Sequence, residues 1–287
     1  MTTESIAQQE SAALANKRLE ALVGVFGEAY AKNYGNPVAY IDDVVLSSPA
    51  VINFYRRQFG YVSRVMTYEY QYRSWNGYDQ ALLDRYSEII TKKLGSIAQL
   101  LENNCNRLQK LLDQNNVPLQ TTLYSNPMVA TVPIICGPAR SYFMLLEKLD
   151  SLHKLAGTAN LFGVITSPQR AQAEVLCKKA VRAFEALLRN EVVRIYREAD
   201  RLLKSQREKG NHDEARAAQL EGQKKDIAEI GAVIDADAKS DSGLDLGSSD
   251  PGQVIDDATA ATAAATAAGG RKKKAEPVAD TAPAATA

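Results

Sequence analysis

The sequence predicts a mainly α-helical protein with a small β-element, an α+β fold of long amphipathic helices followed by a disordered C-terminal tail. Three observations carry this expectation. Apolar residues recur at three- and four-residue steps over unusually long stretches, most clearly from Leu83 to Leu112. β-branched runs are short and confined to 38–46, 119–124 and 128–132. From 236 to 287 the large apolar side chains are Leu244, Leu246, Val254, Ile255 and Val278, scattered through Ala, Thr, Asp, Ser and Gly. That composition does not offset the entropy of ordering a chain. The expected organisation is therefore one helical domain over 1–235 and a tail over 236–287.

Each element has its own signal. Ala15, Leu19, Leu22, Phe26 and Tyr30 place one apolar face on a helix over 4–34, ended by Gly35-Asn36-Pro37. Val38–Leu46 reads as a strand. Ser48 followed by Pro49 marks a helix start, because a serine cap and a proline in the first turn both suit the unpaired N–H groups there. Ile52, Tyr55, Phe59, Val62 and Met66 form the stripe of that helix, which breaks near Trp75-Asn76-Gly77. The seam from Leu83 through Tyr86, Ile90, Leu94, Ile97, Leu101, Cys105 and Leu108 to Leu112 predicts a helix over 79–115. Two short strands flank the turn Ser125-Asn126-Pro127, and Pro133 implies an edge or strand end. Helices follow over 139–157 and from Ser167-Pro168 to about Gly210, and a charged, loosely held one over 211–232.

Composition excludes several classes of function. Lys plus Arg and Asp plus Glu both number 34, so net charge alone makes no case for a polyanion partner. Cys105, Cys136 and Cys177 stand far apart, which argues against a disulfide framework or a thiolate zinc site and suits a reducing cytoplasm. No apolar run is long enough to span a membrane, and the N-terminus lacks a signal-peptide core. His153 and His212 are isolated, no phosphate-cradling glycine loop is present, and Gly24 and Gly27 lack the strand and third glycine of a dinucleotide fingerprint. Cys105 falls on an apolar seam. The expectation is a cytoplasmic, non-enzymatic protein without cofactor or metal.

Two surfaces are candidates for binding. Ten of the twenty aromatic residues lie between Phe54 and Tyr86, interleaved with arginines. Arg56, Arg57, Tyr68, Tyr72, Arg73 and Trp75 are the candidate partner-binding residues, since flat amphipathic rings and guanidinium groups anchor interfaces. The competing reading is a tyrosine-rich core. The helix after Pro168 carries Lys178, Lys179, Arg182, Arg189, Arg194, Arg197, Arg201 and Lys204 away from its apolar stripe, the six from Arg182 onward being the candidate nucleic-acid-binding residues. At about 1.5 Å per residue the whole basic ridge runs about 40 Å, and such a ridge can lie along phosphates. The competing reading is a solvated face with spaced ion pairs. Val38–Leu46 with its capped helix also fits the arrangement of ribbon-type DNA readers, in which two strands pair across a dimer, although Asp42 and Asp43 oppose phosphate contact. Because the 83–112 seam is long enough to pair with a copy of itself, a homodimer is expected.

The run from Thr131 to Leu152, with Leu161-Phe162-Gly163-Val164-Ile165 and Ser167-Pro168-Gln169-Arg170 after it, resembles the AcaB-like family of proteins of conjugative plasmids and integrating conjugative elements. The likeness spans roughly residues 48–205. It implies a strand ending in a small-residue turn, a helix with a Leu-Asp motif, and then a long arginine-bearing helix. It also implies a DNA-linked role, in transcriptional control of transfer functions or another accessory task of conjugation. No functional residue comes with it. The expected function is thus a DNA-binding regulator or accessory protein of a conjugative mobile element. The alternative is an assembly protein that docks another protein on its Tyr/Arg-rich surface.

Overall fold

The computed structural model describes residues 3–118, 124–210 and 213–241. Its order is α1 (Thr3–Phe26), α2 (Glu28–Asn33), β1 (Ala39–Leu46), α3 (Pro49–Phe54), a π-helical turn (Tyr55–Phe59), α4 (Gly60–Met66), α5 (Tyr68–Arg73), α6 (Gln80–Gln114), β2 (Met128–Ile134), α7 (Gly137–Leu161), α8 (Ser167–Glu208) and α9 (Glu214–Asp241). The mainly helical α+β reading holds. The expected strand at 119–124 lies, except for Tyr124, outside the described residues, as do residues 242–287 of the expected tail. Residues 236–241 form the end of α9.

The long helices begin where their caps dictate. Asp79 accepts N–H bonds from Ala81 and Leu82 at the start of α6 (3.0 and 3.3 Å). On α8 the cap is Thr166, one residue before the expected position. It forms a reciprocal box with Gln169, and Pro168 sits in the first turn. Ser48 stands at the cap position before α3 as expected, yet its hydroxyl makes no cap bond. Asp150 of α7 reaches the chain just before α3 from across the core, accepting the N–H groups of Ser47 (3.0 Å) and Ser48 (2.6 Å). The Ser48 hydroxyl instead meets His153 Nδ1 at 2.8 Å.

The first helix differs from expectation. It breaks at Gly27, whose φ of +86° suits glycine, and restarts as α2. Leu22 and Phe26 are buried but Leu19 is 55% exposed, so the apolar face binds only near its end. There α1 crosses α4 so closely that a Cβ on Gly60 would lie 2.2 Å from the Val25 carbonyl oxygen. β1 and β2 pair antiparallel within the chain, with a register shift between Ile41 and Val44. One edge of β1, the strand considered for pairing across a dimer, is thus paired within the chain. Asp43 sits in the shift at φ +56°, and Asp42 and Asp43 are tied to Arg18 (2.6 Å) and Lys17 (2.8 Å) of α1.

The 83–112 seam is buried inside the chain. Leu83, Leu101, Leu108 and Leu112 are fully buried in one core with Leu145, Leu146, Leu149 and Leu152 of α7 and Val181, Phe184, Leu188 and Ile195 of α8. The seam on which the homodimer expectation rested is therefore occupied by the chain's own helices. No described helix is long and apolar enough to cross a membrane.

Candidate functional site: an arginine face and a covered aromatic stripe

The six candidate cations of α8 divide into two groups. Arg194, Arg197, Arg201 and Lys204 are exposed along one side of the helix. Arg189, Arg194, Arg197 and Arg201 border a shallow groove with Asn190 and with Asp79 and Leu82 at the start of α6. Arg182 and Arg189 are half-buried and also meet neighbouring elements. The Arg182 guanidinium lies over the Phe54 ring, 5.7 Å from its centroid. Arg189 passes beneath Gly231 of α9, where an added Cβ would meet the guanidinium at 2.7 Å. The continuous ridge expected from the sequence is thus an exposed face of four cations and two cations engaged with neighbouring elements.

Acidic neighbours moderate the exposed face. Glu191 pairs with Arg194 (3.5 Å), Glu198 with Arg201 (2.8 Å) and Asp200 with Lys204 (2.7 Å). Exposed pairs at helical spacing are worth well under about 1 kcal/mol, so they do not fix these side chains against a stronger anion.

The tyrosine cluster lies mostly inside. Tyr68, Tyr72 and Trp75 are 3%, 0% and 5% exposed, which corrects the expectation that these three rings form an open partner surface. The physical reason is a dense ring cluster. Tyr72 stacks on Tyr78 (5.3 Å between centroids) and meets Trp75 edge-on (5.2 Å), and the Tyr78 hydroxyl donates to the Ile195 carbonyl (2.7 Å). Arg56 and Arg57 remain exposed. Arg73 bridges Glu69 (2.7 Å) and Asp84 (2.9 Å), tying α5 to α6.

What covers these rings is α9, in a polar antiparallel register. The Arg216 guanidinium lies over Trp75, 5.1 Å from the ring centroid. Gln219 and Gln223 donate to Gln71 Oε1 (2.7 and 2.6 Å), and the Tyr72 hydroxyl donates to Gln223 (2.6 Å). Asp226 accepts from the Tyr68 hydroxyl (2.9 Å) and pairs with Arg64 (3.0 Å), which also has Glu229 at 3.9 Å. Arg64 itself lies over the Tyr61 ring at 4.6 Å. Burial raises the Asp226 carboxyl above its ordinary value, although Arg64 and the Tyr68 hydrogen bond oppose the shift. Arg64, Gln71, Arg216, Gln223 and Asp226 escaped the sequence reading because they meet only across about 150 residues of chain. The step of 216, 219, 223 and 226 was the available signal, a seam spacing filled with polar residues.

The chemistry-bearing side chains elsewhere are sequestered. Burial lowers His153 from 6.5 to about 4, against the opposing charge of Glu174, and so holds it neutral. Burial also raises the Cys105 and Cys136 thiols to about 11. Among the described residues no group of three or more His, Cys, Asp or Glu side chains is placed to hold a metal ion.

By fold the chain is an α+β protein of long helices around one two-stranded ribbon, with the order strand, small-residue turn, helix and long arginine-bearing helix over 128–208. Among solved structures it is similar to AcaB from uropathogenic E. coli, at 23% identity and a TM-score of 0.48, over 68% of this chain and 97% of that one. AcaB carries the name of the family that the segment 131–170 resembles. No protein-family description matches the sequence, and no curated protein matches it.

Proposed function

We propose that this chain is a non-enzymatic DNA-binding regulator or accessory protein of a conjugative mobile element, and that α8 contacts DNA phosphates through Arg194, Arg197 and Arg201. The observation that carries the reading is the exposure of these three guanidinium groups on one side of a rigid helix. They span seven residues, about 10 Å at about 1.5 Å per residue. Arginine presents a planar fork of donors to phosphate oxygens and is always charged. The conjugative context is supported by the sequence resemblance over 131–170. The alternative of an assembly protein loses its three candidate rings, because Tyr68, Tyr72 and Trp75 are enclosed.

The test is fluorescence anisotropy on labelled duplex DNA over a salt series, with wild type and the triple variant Arg194→Glu, Arg197→Glu, Arg201→Glu. The helix should persist, since all three side chains are exposed. Each phosphate contact contributes about 0.9 to the slope of log affinity against log salt, so losing three should flatten it by about 2.7. An unchanged affinity and slope in the triple variant would remove the α8 face from the proposal.

A further inference from the structure

Arginine and aromatic side chains meet a second time beneath α9. Arg64, Tyr68, the adjacent pair Gln71 and Tyr72, and Trp75 follow at steps of three or four residues, forming a stripe about 16 Å long at about 1.5 Å per residue. The structure shows this stripe occupied by the chain's own α9.

Resting on the nucleic-acid reading above, we propose that α9 is a releasable cover and that the uncovered Arg64–Trp75 stripe binds single-stranded DNA. Two features support release. The residues of α9 that meet the stripe are Arg216, Gln219, Gln223 and Asp226, at the three- and four-residue steps of a packing seam. Polar residues at seam positions set the register of a helix pair at a cost in stability. Among the α9 residues whose side chains are described, Leu220 is buried in the core and Ile227 is partly buried against it. The described contacts between α9 and the stripe are thus mostly polar and fix one register, while α9 also packs along α8.

The contacts of α9 also indicate the ligand. A guanidinium lies over the Trp75 ring, where a base would stack. A carboxylate sits 3.0 Å from Arg64, where a phosphate would sit. Side-chain amides engage Gln71 and the Tyr72 hydroxyl, where the donors and acceptors of a base edge would fall. A flat ring for the base beside a cation for the backbone is the pairing that single-strand binders use, and base stacking tolerates any sequence. Arg189 beneath Gly231 links this stripe to α8, so lifting α9 extends the arginine face sideways.

Trp75 is the chain's single tryptophan, and its emission and quenching report the seat of α9 directly. The experiment uses the full chain with Leu220→Asp and, independently, Ile227→Asp. Both substitutions remove an apolar anchor and add negative charge, so neither can raise DNA affinity by charge alone. The expected result is red-shifted, quencher-accessible Trp75 emission with the far-ultraviolet helical signal of the core kept. Affinity for a short labelled oligothymidine should rise about tenfold, the size of one base–aromatic stack. Adding Trp75→Ala to either variant should abolish the gain. Exposed Trp75 with unchanged oligothymidine affinity overturns the proposal and leaves the stripe a seat for a helix. Unchanged Trp75 emission in both variants overturns it as well, because α9 is then not releasable. The duplex experiment on Arg194, Arg197 and Arg201 reads the α8 face separately, so the two readings fail by different measurements.

Discussion

Two helix seams in this molecule share a spacing and differ in chemistry. α6 meets α7 and α8 through Leu83, Leu94, Leu101, Leu108 and Leu112, all buried in the main core. α9 meets α4 and α5 through Arg216, Gln219, Gln223 and Asp226. The apolar seam removes large surfaces from water and is insensitive to which partner atom touches which. The polar seam gains little from burial, because each group it desolvates must be repaid by a hydrogen bond in one register. The difference separates what holds the fold from what selects a geometry. A deletion in the first seam should be felt everywhere, and a deletion in the second only at α9.

The largest expected effect tests that separation. Leu101 is fully buried at the centre of the apolar seam. Leu101→Ala removes its methyl groups from a site that α7 and α8 keep closed, and large-to-small changes of this kind cost about 2–5 kcal/mol. Denaturant unfolding followed by circular dichroism should show the whole loss. Leu220→Ala, an equal deletion beneath α9, should leave that midpoint nearly in place and change Trp75 quenching instead. Equal global losses would show that α9 is an integral part of the core.

A pH measurement reaches the same core from its polar side. His153 on α7 is lowered to about 4 by burial, below its ordinary 6.5. As pH falls, the unfolded chain takes up this proton first, so stability contributed by the neutral ring is intact above about 6.5 and is lost progressively down to about 4. A gap of that size corresponds to about 3 kcal/mol at most. His153→Gln should flatten this part of the stability profile. A profile as steep in the variant as in wild type would assign the acid sensitivity to other groups.

The same contrast explains what could be read before folding was known. The apolar seam was legible because burial imposes a period on hydrophobic residues, so α6 and α8 were located to within about two residues at each end, closer than helix boundaries usually allow. The break at Gly27 was not legible, because nothing in the period of Leu22, Phe26 and Tyr30 changes there. The depth of the tyrosine cluster was also hidden. A ring that serves an interface and a ring that serves a core have the same composition, and the partners that enclose Tyr72 include Gln223, far along the chain. Arg182 and Arg189 look like Arg194 in sequence. They differ because Phe54 and Gly231 lie beside them in space.

The smallest expected effect lies within the polar seam and sharpens its description. Arg64 and Asp226 are 15% and 19% exposed, more enclosed than a surface ion pair. A double-mutant cycle of Arg64→Ala and Asp226→Ala should give a coupling of about 1 kcal/mol, at the upper end for exposed pairs, read from hydrogen exchange in α9. The two single changes should be unequal. Asp226→Ala leaves Arg64 with Glu229 at 3.9 Å and with the Tyr61 ring at 4.6 Å. Arg64→Ala removes the cation from Asp226 and Glu229 together and leaves two neighbouring acids with no more than tyrosine hydroxyls, Tyr68 on Asp226 and Tyr61 on Glu229, to offset their repulsion. The arginine deletion should therefore loosen α9 more than the aspartate deletion does. Equal effects with zero coupling would mean that α9 is seated by Leu220 and the glutamines, and that the ion pair adds nothing to its register.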